Sequence, residues 1–586
     1  MIVRSAAVDA GSKARVLLTG WPRIDWRVQL VKHAPALTGL GLGLLTLGPG
    51  IGRGYLLSYD MVFVPSPPFS RALVGLAGGP ARAVPSDAVV TVLARLLPAD
   101  ILQKLILLLI FMLACSGAAA LLTSGWRQVT GEPAPVLARL VAGTFYLWNP
   151  FVAERLLIGQ WALLLGYAGL PWVVRELSTG TIKIKPGRLL VTLLPAAVGG
   201  FAALAVTGLA AVPIALARGT ARDRGRRLAV TVICIGLVSL PWLVPSLLVP
   251  VHTDPRGVDF FAARADTPFS RIGSLVMLSG IWNAQTVPRG YSGISAAAWL
   301  CVVACALSGF LLCARRQRAA PGLGLAGLVG LGVAALGVIS PTRHGLRALV
   351  AAWPGFAVLR DGQQFVAALG LTEAIGLAAG VAWLLAWVRR RQPVAPTARL
   401  ESAAGPLPGR PRTDPAAVSL ALIALVAPVL MLPGMAWGEI GRLAPVHYPA
   451  DWISARDRID ASQARGSVLV LPWGAYRRYP WNNDEAVYDP WNKLLSRAVI
   501  SDDGLQVGRQ SLTPETAASI RVNGLVASSG PMTAPLRQAG VRFVVIDAGS
   551  ILDLPPNAVA ADARLPGARL IVHSRDLIVL MLPGQG

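Results

Sequence analysis

Along the first 440 residues, charge-free stretches of about 20 residues alternate with short basic runs. Residues 34–52 form the first such stretch, about the thickness of a bilayer's hydrocarbon core at roughly 1.5 Å per helical residue. Further spans are expected at 105–125, 135–151, 156–174, 228–250, 296–313, 320–340, 365–387 and 415–436. Between 189 and 217 lie 29 uncharged residues with basic runs on both flanks. Short basic segments stay on the cytoplasmic face, so this stretch is expected to be a hairpin that turns near Gly199-Gly200. Eleven crossings result, with the N-terminus inside.

The segments between spans complete the plan. Residues 1–33 hold six basic and two acidic residues and no apolar core, and read as a cytoplasmic tail rather than a cleaved signal peptide. Residues 53–104 form a long first external loop rich in proline, in which 87–97 has the spacing of an amphipathic helix lying in the interface. Residues 388–414, rich in Arg, Pro and Gly, read as a flexible cytoplasmic linker.

Past residue 437 the pattern changes. Ser467–Leu471 and Val541–Asp547 are short β-branched runs, each preceded by a helix-like stretch and a glycine, as in αβ units. Arg569–His573 and 577–582 read as a closing hairpin. The expected fold is thus a polytopic α-helical membrane protein of about eleven transmembrane helices, N-terminus inside, with a C-terminal extracytoplasmic α/β domain. Its divisions are a tail (1–33), a transmembrane domain (34–437) and the external domain (438–586).

Composition agrees. Hydrophobic residues make up 54% and charged residues 14%, against about 25% charged in soluble domains. The net charge of +24 lies almost wholly in the first 438 residues, which hold 39 basic and 16 acidic side chains; the remainder holds 15 and 14. This is the signature of membrane topology, and nucleic acid is not an expected partner. The five cysteines all lie in or beside apolar spans, and the five histidines show no ligand spacing, so neither disulfides nor a zinc site is expected.

Polar groups gather against the membrane in two external segments. One is the loop around Asp60, an acid among aromatics and prolines. The other runs from Thr144 to Trp172 and contains Asn149-Pro150-Phe151, Glu154-Arg155-Leu156, Gly159-Gln160-Trp161, Leu165-Gly166-Tyr167-Ala168 and Pro171-Trp172. This pattern resembles the large actinobacterial membrane proteins of the arabinofuranosyltransferase type, and more broadly the GT-C class of glycosyltransferases. The resemblance implies a polyprenyl-phosphate sugar donor, an envelope glycan or glycolipid acceptor, and a catalytic acid in the first external loop. On that basis Asp60 is the expected general base, in a multi-pass protein of the plasma (inner) membrane. Many members of the class have two adjacent acids or a divalent metal. Here Met61 follows Asp60, which leaves metal dependence open and gives no metal-ligand set.

The expected substrate-binding residues follow from their chemistry. Glu154 and Arg155 lie at the mouth of two helices, where ionisable groups need partners, and either an internal ion pair or a substrate contact fits them. Arg360 and Asp361 form the most polar cluster beside an external span, and Arg suits a lipid phosphate. Trp473, Tyr476 and Trp481 stand in an aromatic, amide-rich stretch (473–492) suited to a glycan, to packing of the loop or to the bilayer interface. The alternative to an enzyme is an envelope-lipid or glycan export or binding protein, or an assembly scaffold. An ion-coupled carrier would place ionisable residues in mid-span, where Glu373 is the clearest instance.

Overall fold

A computed structural model describes residues 26–79, 81–178, 183–249, 251–391, 414–507, 510–547, 549 and 564–584. Most of the expected tail and linker lies outside the described residues. Among those described, seven helices are long and apolar enough to cross a membrane, or up to nine if each of two bent pairs is one span. In chain order the helical body comprises α1 (Trp26–Leu47), α2 (Ser86–Leu93), α3 (Ala99–Thr130), α4 (Val136–Leu147), α5 (Pro150–Leu157), α6 (Trp161–Ser178), α7 (Pro186–Leu216) and α8 (Ala221–Leu248). It continues with α9 (Gly293–Gly309), α10 (Ala320–Ala335), α11 (Ser340–Ala352), α12 (Ala367–Arg391) and α13 (Pro415–Met431). The eleven crossings expected above also count α6, whose end carries charge, and each half of α7.

α7 is not one straight rod. At Gly200 the backbone leaves helical geometry, with φ 77° and ψ −150°. Pro195 and Ala203, on opposite sides of this break, lie against Gly169 and Gly166 of α6, and Gly199 lies against Ala162 at the start of α6. Contacts that move down α6 in both directions from the break require a reversal there. At the far end, Arg218 donates to the Ser178 carbonyl at 2.6 Å. Arg227 donates to Leu177 at 2.6 Å and to Ala215 at 3.0 Å. A glycine serves at the tip because a positive φ is strained for other residues.

The C-terminal region contains a five-stranded mixed sheet. Its strands are β3 (Ser467–Leu471), β6 (Val499–Ile500), β7 (Val541–Asp547), β8 (Arg569–His573) and β9 (Leu577–Met581), in spatial order β8-β9-β7-β3-β6. β3 is parallel to β7 and β6, and β9 is antiparallel to β7 and β8. Helices α14 (Ala450–Ala461) and α15 (Thr533–Gln538) precede β3 and β7, completing the two αβ units. A separate hairpin of β4 (Tyr476–Arg478) and β5 (Ala486–Tyr488) stands beside the sheet.

The long loop after α1 is woven into this region. Its strand β1 (Tyr55–Leu56) pairs antiparallel with β2 (Pro445–Val446), and Tyr59 bridges Val487 of β5. Leu57, Val62 and Val64 are buried in the same apolar cluster as Trp452, Val468, Val487 and Phe543. Tyr448 donates to the Phe63 carbonyl at 3.0 Å, and Arg456 to that of Pro65 at 3.1 Å. Leu57, Val62 and Val64 of the loop thus contribute to the core of the later region.

Candidate active site

Asp60 sits in a tight turn over residues 58–61. Met61 N–H donates to the Ser58 carbonyl at 2.8 Å, and Tyr59 takes a positive φ of 41°. Contacts from three directions hold the turn. From the helical body, the Asp60 N–H donates to the Ile158 carbonyl at 3.1 Å, and the Ser58 hydroxyl to that of Leu157 at 2.5 Å. From α3, the Gln103 side chain brackets Leu56 with bonds of 2.9 and 2.7 Å. From the β4–β5 hairpin, Tyr59 N–H donates to the Ala486 carbonyl at 2.6 Å and Tyr488 N–H to that of Tyr59 at 2.9 Å. Gly159, with φ 80°, faces the turn directly, and a Cβ there would collide with Ser58 and Met61 backbone atoms.

The Asp60 carboxylate accepts a 2.7 Å hydrogen bond from the Tyr476 hydroxyl. Gln160, Arg82 and Lys493 also face it. The side chain keeps solvent-accessible surface while protein crowds it. Burial raises its pKa, and the Tyr476 and Gln160 bonds together with the Arg82 and Lys493 charges oppose that rise. The result is a carboxylate with a raised pKa within reach of solvent.

Next to it lies a buried polar network. Asn149 caps α5 by accepting from Val152 N–H at 3.1 Å, and its amide donates back to Phe145 and Tyr146 carbonyls. This cap aims Arg155 into the body, where its side chain is 0% exposed. Arg155 grips Asp361 with two bonds, at 2.7 and 3.1 Å, and also donates to Gln363 at 2.9 Å and to Gln160. Gln363 in turn donates to Glu154 at 3.1 Å. Glu154 and Arg155 thus do not form the ion pair with each other that the sequence allowed. Neighbouring helical residues point about 100° apart, and each finds its partner around Gln363 instead.

A second cationic group stands on the other side. Arg82 donates to Glu515 at 2.6 and 2.5 Å, and Arg360 approaches the same carboxylate at 3.4 Å. The Arg360 guanidinium also lies 4.6 Å from the centre of the Phe261 ring. Lys493 pairs with Asp87 at 2.9 Å.

The structure therefore brings together Asp60, Glu154, Arg155, Arg360, Asp361 and Tyr476 of the residues singled out by sequence. Trp473 and Trp481 stand elsewhere. Trp473 donates to Asn523 at 3.0 Å, and Trp481 packs among Tyr448, Trp452 and Tyr479. Sequence reasoning missed Arg82, Glu515 and Lys493 as site residues. Arg82 carries no motif, and Glu515 and Lys493 lie more than 400 residues from it in the chain. Arg256 is engaged locally with Asp254, and Arg343 and Arg347 with Asp259. Among the described residues no group of three or more His, Cys, Asp or Glu side chains is arranged to hold a metal ion.

No protein-family model matches the sequence, and no curated protein matches it. Solved structures do match the fold, and they define its class: the chain has the fold of GT-C membrane glycosyltransferases. The arabinofuranosyltransferase AftD from Mycobacteria superposes with a TM-score of 0.58 at 19% identity, over 94% of this chain and 40% of that one. This chain therefore spans about two fifths of that protein's length. ArnT from Cupriavidus metallidurans, bound to undecaprenyl phosphate, matches at a TM-score of 0.42 and 14% identity, over 96% of this chain and 100% of that one.

Proposed function

We propose that this protein is a glycosyltransferase that moves a sugar from a polyprenyl-phosphate donor to an envelope glycan or glycolipid acceptor on the extracytoplasmic face. One observation carries the reading: a solvent-reached, crowded carboxylate, Asp60, is held by the helical body, the first loop and the external hairpin at once. The fold shared with AftD supports it. The sidedness rests on the charge pattern, which puts the N-terminus and the Arg218–Arg227 run inside, and with eleven crossings the sheet region outside.

In this reading Asp60 takes the proton from an acceptor hydroxyl as its oxygen attacks the anomeric carbon of the donor. The carbon–oxygen bond to phosphate breaks and its electron pair leaves with the phosphate, so a single displacement inverts the anomeric centre. Arg82 and Arg360, which share the one Glu515 carboxylate, are the groups suited to the leaving phosphate. Their two charges against one leave a net cation beside the base. Arg155 fixes Gln160 and thereby the floor on which Asp60 rests.

The experiment uses the full chain in lipid nanodiscs with synthetic polyprenyl-phosphate sugars. Asp60→Asn is expected to lower transfer by a factor of 1,000 or more, on the order expected for loss of a general base, while undecaprenyl phosphate still binds. Undiminished turnover in a folded Asp60→Asn protein would remove the assignment.

A further inference from the structure

Tyr476 belongs to the external region and lies 416 residues from Asp60 in the chain, yet its hydroxyl is 2.7 Å from Asp60 Oδ1. The position of that hydroxyl is built rather than incidental. The Tyr476 ring contacts Tyr59 at 5.8 Å and Tyr488 at 5.7 Å between centroids. Tyr476 and Tyr488 face each other across the β4–β5 hairpin. The same hairpin makes two backbone bonds to Tyr59, the residue immediately before the acid. Hairpin and acid therefore move as one piece.

Four groups face the Asp60 carboxylate from the elements around it: Tyr476 of β4, Gln160 at the start of α6, Arg82 of the first loop and Lys493 of the external region. Both cations already carry a carboxylate partner of their own, Glu515 and Asp87. Gln160 is shared with Arg155. Among the described residues the Tyr476 hydroxyl donates to Asp60 alone.

We propose that Tyr476 is a positioning residue supplied by the external region, whose hydroxyl fixes the orientation of the Asp60 carboxylate and keeps it ionised for proton uptake. The proposal rests on the reading of Asp60 as the base. It gives the external region a part in the chemistry, besides any contact it makes with an acceptor. A phenol donor stabilises the charged carboxylate more than the neutral acid, so its removal moves Asp60 toward the protonated form at a given pH.

The test measures the protonation of Asp60 without needing a substrate. A water-soluble carbodiimide with an amine nucleophile labels carboxyl groups in their protonated form, and labelling at residue 60 is followed by peptide mass spectrometry from pH 4 to 9. With the full chain in nanodiscs, Tyr476→Phe is expected to raise the labelling midpoint by about one to two pH units, the worth of one hydrogen bond to a charged acceptor. Tyr488→Phe keeps the neighbouring ring but removes a hydroxyl that does not bond Asp60, and is expected to leave the midpoint in place. In turnover, the acidic limb of kcat/KM for Tyr476→Phe moves up by the same interval, and activity lost near pH 7 returns at higher pH. An unchanged midpoint in folded Tyr476→Phe, or an equal shift in Tyr488→Phe, overturns the proposal. Should the phenylalanine variant fail to fold, 3-fluorotyrosine at position 476, a stronger donor of the same shape, must lower the midpoint, and no shift overturns the proposal equally. Full turnover by Asp60→Asn would instead defeat the base assignment and leave the labelling result standing.

Discussion

Arg155 and Asp361 are joined across 206 residues by two bonds of 2.7 and 3.1 Å, with the arginine fully buried and the aspartate 17% exposed. Replacing Arg155 by Met keeps most of the side-chain volume but leaves Asp361 without its counter-charge and Gln363 and Gln160 without a donor. Breaking a buried ion pair from one side costs about 3–5 kcal/mol; Arg155→Met is expected to fall at the lower end because the carboxylate it strands is partly wet, and Asp361→Asn higher because it strands a guanidinium with no exposure. Changing both residues leaves no stranded charge, so the double variant is expected to cost no more than Arg155→Met alone. The resulting coupling is then at least the cost of Asp361→Asn, on the order of 3 kcal/mol or more, at the upper end for residues in direct contact. Denaturant titration of the four proteins in one detergent, read by size exclusion and intrinsic fluorescence, measures it. Costs that simply add would refute the pairing. Because Arg155 also holds Gln160, whose side chain faces Asp60, the single variant should lose turnover even where it remains folded.

Two further outcomes follow from other parts of the structure. Gly159→Ala places a methyl group against the Ser58 and Met61 backbone at a positive φ of 80°; it is expected to cost at least about 1 kcal/mol and to lower transfer by more than tenfold through displacement of Asp60, measured by turnover alongside thermal stability. Asp547, at the end of β7, is pushed up to about 7 by burial, with Arg477 and Tyr479 opposing the rise. Since the folded state then holds a proton that the unfolded chain releases near pH 4, this group's contribution to stability is fully present below about pH 4 and is lost as pH rises through about 7. Hydrogen exchange of Val541–Asp547 across that window should show protection falling by a few kcal/mol, and Asp547→Asn should flatten the slope.

What the sequence determined by itself was everything that leaves a local pattern. A bilayer demands apolar helices of fixed length, and charge placement records which flanks share a face, so the helical body and the reversal at Gly200 were legible. Alternation of helix, glycine and β-branched strand disclosed the αβ units, because the parallel pair Ser467–Leu471 and Val541–Asp547 is buried and must be apolar along its length. Arg155 and Arg360 stood out because polar groups beside apolar spans are costly without a purpose, Asp60 because the family resemblance implies a catalytic acid in its loop, and Tyr476 because its stretch is rich in aromatics and amides. Only the tertiary structure decided who meets whom. Arg155 pairs with Asp361 rather than with adjacent Glu154, Arg82 and Arg360 converge on Glu515, and a hairpin hundreds of residues downstream places Tyr476 on Asp60. Trp481 shows the converse: an aromatic suited by type to a sugar instead fills the core around Trp452. Partners so distant in sequence leave no periodicity to read, since the geometry joining them exists only once the loop and the C-terminal region have packed into a common core.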